Sequence, residues 1–183
     1  MTSTRGRRPL LVGANTLVSL FDGDRMTALA SVWRVDWSER GRGDVIVLWY
    51  DGRVRVLGDD PGLGYWLSQE FTRYFPEAAG LPWPEPTVEW TTVTLSLNLQ
   101  TGLAAGAGDV AVSISEVLDR RTFTTESFDL GGVSHGLSLV LAPARSAMLR
   151  VAGQRVPGEV RLSGTPEHPV SSAFLTCAEV WTN

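Results

Sequence analysis

The 183-residue sequence contains no lysine; all sixteen of its positive charges are arginine. That absence excludes two chemistries, because Schiff-base catalysis needs an amine side chain and a phosphate-cradling P-loop needs its lysine. A single cysteine, Cys177, excludes an internal disulfide and fits a reducing compartment. Only two histidines exist, His135 and His168, and with one cysteine they cannot close a zinc site of the His/Cys kind. Long apolar runs are also missing, so no segment reads as a bilayer-spanning helix.

Basic charge is scarce as a field. The formal net charge is −4, which gives no electrostatic reason to expect nucleic acid or a membrane surface as a partner. The one basic cluster, Arg5, Arg7 and Arg8, reads as a solvated terminus. It precedes the apolar Pro9–Val12, and Ala28-Leu29-Ala30 has the look of a cleavage triplet. Asn15, Thr16 and Ser19 interrupt the apolar stretch, however, and Asp22, Asp24 and Arg25 stand where a signal peptide stays uncharged. The expectation is a strand, in a soluble cytoplasmic protein.

What is present is the composition of one globular domain over residues 1–183, with 43% hydrophobic and 20% charged residues. Asp59-Asp60-Pro61 offers an acidic N-cap followed by proline at the first helical position. Leu63, Trp66, Leu67, Phe71, Tyr74 and Phe75 then recur at helical spacing, with Ser68, Gln69, Thr72 and Arg73 on the opposite side. This predicts one amphipathic helix near residues 60–75. Pro76 ends it, and a proline-rich strap over 76–86 joins an N-terminal meander plus helix to a C-terminal β region.

The flanks alternate at β spacing. Leu17–Phe21 and Met26–Trp37 are joined at Asp22-Gly23-Asp24, and Asp44–Tyr50 is apolar on both faces like a central strand. Asp51-Gly52 hands it over to Arg53–Leu57 as a hairpin. Beyond the strap, Val88–Leu99 alternates Val93, Leu95 and Leu97 against Thr94, Ser96 and Asn98. Asp109–Leu118, Leu137–Leu141, Ala147–Val151, Arg155–Leu162 and Ser171–Trp181 read as further short strands, with Arg120–His135 the least regular part. The fold expectation is mainly β: an antiparallel barrel or sandwich of about ten strands with one helix.

Gly132-Val133-Ser134-His135-Gly136 matches the Gly-x-Ser-x-Gly pattern, whose serine works when a strand-to-helix turn lifts it above a parallel sheet. Leu137–Leu141 reads as a strand, and no aspartate follows Ser134, so that context is absent. The segment Glu116–His135 concentrates ionisable groups at what would be a barrel rim. For an enzyme of cyclase, isomerase or hydrolase type, His135 would be the acid/base, assisted by Glu116, Asp119 and Arg120. The bland alternative is that Arg120 and Arg121 pair with neighbouring acids on a solvated turn. Nothing in the spacing demands a metal or a cofactor.

Seven tryptophans are the strongest compositional oddity. Indole area suits the wall of an apolar pocket, and the hydroxyl-bearing strand beside it supplies fixed polar groups. Trp33, Trp37, Trp49 and Trp90 with Thr92, Thr94 and Ser96 are therefore the candidate ligand-binding residues. The expected function is a small-molecule-binding β-barrel holding a mostly apolar organic ligand. A third possibility is an interaction module using an exposed Trp83 and an uncovered sheet edge to bind another chain or a second copy of this one, as a homodimer.

Overall fold

The computed structural model describes residues 7–183; the contribution of Arg5 to the basic cluster lies outside them. The chain opens with a meander: β1 (Arg8–Asp22), β2 (Arg25–Ser38), β3 (Gly43–Tyr50) and β4 (Arg53–Gly58). Its β3–β4 turn uses the Asp51-Gly52 pair, where both residues adopt the left-handed φ (51° and 67°) of a type I′ hairpin. Helix α1 (Pro61–Glu70) follows, with Asp60 as N-cap accepting from the Leu63 N–H at 2.9 Å.

The helix is shorter than its apolar spacing predicted. It ends at Phe71, and two single 3₁₀ turns, Thr72–Tyr74 and Pro76–Ala78, carry the chain onward. Its opposite side is not wet either: Ser68 and Thr72 are fully buried. The Thr72 hydroxyl accepts from Trp33 Nε1 and donates to Ser31 Oγ, each at 3.3 Å, which is how a polar residue is tolerated inside. Trp83, expected outside, is half-buried against the helix-side core.

After the strap come β5 (Thr87–Trp90), β6 (Val93–Asn98), β7 (Gly102–Ala107), β8 (Val110–Val117), β9 (Arg121–Leu130) and β10 (Val133–Val151). Short pieces β11 (Gln154–Arg155), β12 (Leu162–Gly164) and β13 (Pro169–Ser171) precede the last strand, β14 (Ala173–Thr182). The sheet runs β5-β4-β3-β2-β1-β14-β10-β8-β7-β6, with β9 and β11 pairing onto β10. The β4–β5 pair is parallel and every other pairing is antiparallel, so the sheet is mixed. Its two end strands are separated in the chain only by Thr91 and Thr92, so the sheet must curl back on itself. Arg34 Nη2, on β2, donates to the Leu95 carbonyl of β6 at 3.0 Å across that closure. The result is a mainly β, curled half-barrel with one α-helix.

Three segments differ from their sequence pattern. Val88–Leu99 is two strands at opposite ends of the sheet, not one. Leu137–Leu141 and Ala147–Val151 belong to a single 19-residue strand, β10. Arg120–His135 holds the regular ten-residue β9, while Arg155–Leu162 is no single strand: Arg155 ends β11, Leu162 begins β12, and between them Glu159 makes one bridge, to Phe21.

Each face of the sheet has its own core. On the inner face Val18, Leu20, Ile46 and Leu48 meet Leu103, Val112, Ile114 and Leu149 from the strands that curl over. On the outer face α1 covers Val45, Val47, Val54 and Val56 with Leu63, Leu67 and Phe71. The helix reaches only that half of the face. Over β1, β14, β10 and β9 the same face is left without a helix, and that is where space opens.

Candidate ligand-binding site

A cavity of about 530 Å³ lies over this uncovered half. Its floor follows from strand register, because residues directly opposite one another in a ladder project to the same side. One row runs Arg121, Leu141, Thr176, Asn15, Trp33 across β9, β10, β14, β1 and β2. The next runs Phe123, Leu139, Ala178, Gly13, and the one beyond it Leu137, Val180, Leu11. Members of all three rows line the cavity. The middle row is kept low by Ala178; beside it Gly13 lets β2 approach closely, since an added Cβ there would run into the Arg34 carbonyl oxygen.

The roof comes from the end of α1 and the turns after it, through Phe71, Phe75, Pro76 and Glu77, and from the β12–β13 hairpin through Val170 and Ser171. The aromatic members touch. Trp33 meets Phe71 edge-on with ring centroids 5.6 Å apart, and Phe75 at 5.9 Å. The Trp33 indole is held in place by its bond to Thr72.

Polar groups in this apolar lining are few and fixed. Asn15 donates through Nδ2 to Ser31 Oγ at 2.8 Å, and Thr176 donates to the Asn15 carbonyl at 2.6 Å. Arg121 is held by Asp119 at 3.2 Å and by the Pro169 carbonyl at 2.8 Å. Glu77 is half-buried, and among the described residues no cationic side chain lies within ion-pair distance of its carboxylate. Burial raises its pKa above the usual glutamate range, opposed in part by its own backbone N–H.

The tryptophans do not gather around one space. Trp33 lines the cavity. Trp49 lies buried on β3 with its N–H on the Pro82 carbonyl at 2.9 Å, pinning the proline strap. Trp37 is 46% exposed and Trp90 is 81% exposed. Thr92 is exposed between β5 and β6, and Thr94 and Ser96 line a separate, shallow groove on the outside of β6–β8, beside Ala104, Gly106 and Arg150.

The candidate acid/base set is similarly divided. His135 sits near the start of β10, 9% exposed, its Nδ1 3.0 Å from the Val133 carbonyl. Arg121, next to Asp119 and Arg120, pairs with Leu141, six residues further along β10 and so roughly 20 Å away. Glu116 accepts from Ser146, farther still along the same strand. The Gly132–Gly136 motif occupies the β9–β10 turn and the start of β10, with no helix after it.

Asn15, Thr176, Glu77, Gly13 and Ala178 were not singled out by sequence reasoning. Polar residues interrupting an apolar strand, as Asn15 does, are one signal that could have pointed there. An acid enclosed by Phe75-Pro76 and Ala78 is the other.

No family model and no curated protein matches the sequence. Among solved structures, the chain is similar to the crystal structure of acetoacetate decarboxylase (ADC) from Legionella pneumophila subsp. pneumophila. The TM-score is 0.41 and the identity 10%, over 100% of this chain and 90% of that one. That likeness assigns neither a substrate nor a reaction.

Proposed function

We propose that this protein binds a mostly apolar organic molecule in the cavity between the β9–β10–β14–β1 floor and the turns after α1. The observation that supports it is the cavity itself, whose volume of about 530 Å³ falls in the range of small-molecule sites. Its walls are aliphatic and aromatic, with isolated polar groups at Asn15, Thr176, Arg121 and Glu77 to orient what enters. The groove at Thr94 and Ser96 has a similar volume, about 580 Å³, but is more open and less apolar.

Titration with prodan, a neutral naphthalene dye whose emission shifts to the blue in apolar surroundings, tests this reading. Saturation at one dye per chain is expected. Ala178→Phe, which fills the centre of the floor, should weaken binding at least tenfold while leaving circular dichroism unchanged. Absence of saturable binding, or binding indifferent to Ala178→Phe, would overturn it.

A further inference from the structure

An apolar cavity selects poorly by itself, since any oily molecule of the right size gains from entering it. Selectivity comes from the charged and aromatic groups within it. Two charged side chains line this one, Arg121 and Glu77. Arg121 already has its counter-charge, Asp119 at 3.2 Å, and a second anchor on the Pro169 carbonyl. Glu77 has no such partner among the described residues. With Glu77 ionised, Arg121, Asp119 and Glu77 together carry one uncompensated negative charge.

The walls add a second, independent feature. Six aromatic residues line the space: Trp33, Phe71, Phe75, Phe123, Phe128 and Phe174. Aromatic faces attract cations through their quadrupole, most strongly where water is excluded, and tryptophan does so best. Trp33, Phe71 and Phe75 form one connected wall, and Glu77 follows Phe75 by two residues. A carboxylate without a counter-ion beside an aromatic wall is complementary to an organic ammonium, and repels an organic acid.

Building on the cavity reading above, we propose that the ligand is an organic cation: an apolar amine or quaternary ammonium whose charge pairs with Glu77 and rests against the Trp33–Phe71–Phe75 wall. Burial makes the ionised form of Glu77 costly, and a bound ammonium would offset that cost by charge pairing. A bound cation also makes Arg121 a boundary of the site, since like charges would hold the ammonium toward the Glu77 side.

Three phenylalkyl probes with the same four-carbon linker test this by calorimetry and tryptophan fluorescence on the whole chain: 4-phenylbutyl-trimethylammonium, its neutral tert-butyl isostere, and 5-phenylpentanoate. The ammonium should bind at least tenfold more tightly than the isostere, and the carboxylate least. Glu77→Gln should remove the ammonium's advantage and leave the isostere's affinity within twofold. Equal or tighter binding of the isostere or the carboxylate to the unaltered protein would overturn the cation proposal, as would an advantage that survives Glu77→Gln. In those cases the cavity reading stands if the isostere's binding is lost in Ala178→Phe. If none of the three probes binds, both proposals fall.

Discussion

The buried hydroxyl of Thr72 is the most exposed part of this account to experiment. Thr72→Val keeps the shape of the side chain and removes only its hydrogen-bonding capacity. Thr72 is fully buried and Trp33 is 3% exposed, so neither lost bond is replaced by water. The Trp33 N–H is left unpaired, and Ser31 Oγ loses a donor while keeping Asn15 at 2.8 Å. An unsatisfied buried donor costs about 1–3 kcal/mol. In a chain of this size each kcal/mol moves Tm by about 2–4 °C, so a 2 kcal/mol loss is a fall of about 4–8 °C. Thr72→Ser keeps both bonds and gives up one methyl group, roughly 1 kcal/mol. Thermal unfolding followed by circular dichroism should therefore rank parent above Thr72→Ser above Thr72→Val. A valine variant that melts within about 1 °C of the parent, or above it, would refute the reasoning and return this residue to the solvated side of a helix.

Three further outcomes follow from the same structure. Asp60→Ala removes the N-cap of α1 and should cost about 1 kcal/mol, read as a lower denaturant midpoint at unchanged m-value. Glu77 has a raised pKa in the folded chain, so between its unfolded and folded values the native state binds more protons, and stability falls as pH rises through that window. Glu77→Gln should flatten that part of the stability profile and raise stability at neutral pH, measured by urea unfolding across pH. Cys177 is exposed, but partial desolvation, with Asp36 nearby, raises its thiol pKa, so iodoacetamide should modify it more slowly at pH 7 than a free cysteine, with the difference closing in alkali.

Much of the fold was legible because local chemistry and tertiary structure agree there. The Asp51-Gly52 turn, the Asp60-Pro61 helix start and the doubly apolar Asp44–Tyr50 strand each carry their own signal, and each lies where that signal put it. Agreement fails where the deciding force is long-range. Thr91 and Thr92 are good strand formers, so nothing local announces that the chain leaves one edge of the sheet and starts the opposite edge there. Pro143 looks like a strand breaker, yet β10 runs through it. The neighbouring strand is itself interrupted between β8 and β9 at that level, so the missing proline N–H costs no ladder bond there.

The candidate site was less legible for a related reason. Aromatic content pointed to tryptophan as a wall, and of the four strand tryptophans only Trp33 lies at the cavity. Register, not residue type, decides which side chains share its floor, and register between β1 and β14 joins residues more than a hundred positions apart. Ala178 leaves space by what it lacks, and Gly13 lets the β2 backbone close in beside it. Small side chains send no sequence signal until their neighbours across the sheet are known.

The most direct measurement is a crystal structure of the protein with prodan bound at saturation. Density for the dye over Ala178, Leu139 and Gly13, beneath Phe71 and Phe75, is the result this account predicts. Dye lodged instead along Thr94 and Ser96 on the outside of the sheet, or a cavity filled by collapsed side chains, would contradict it.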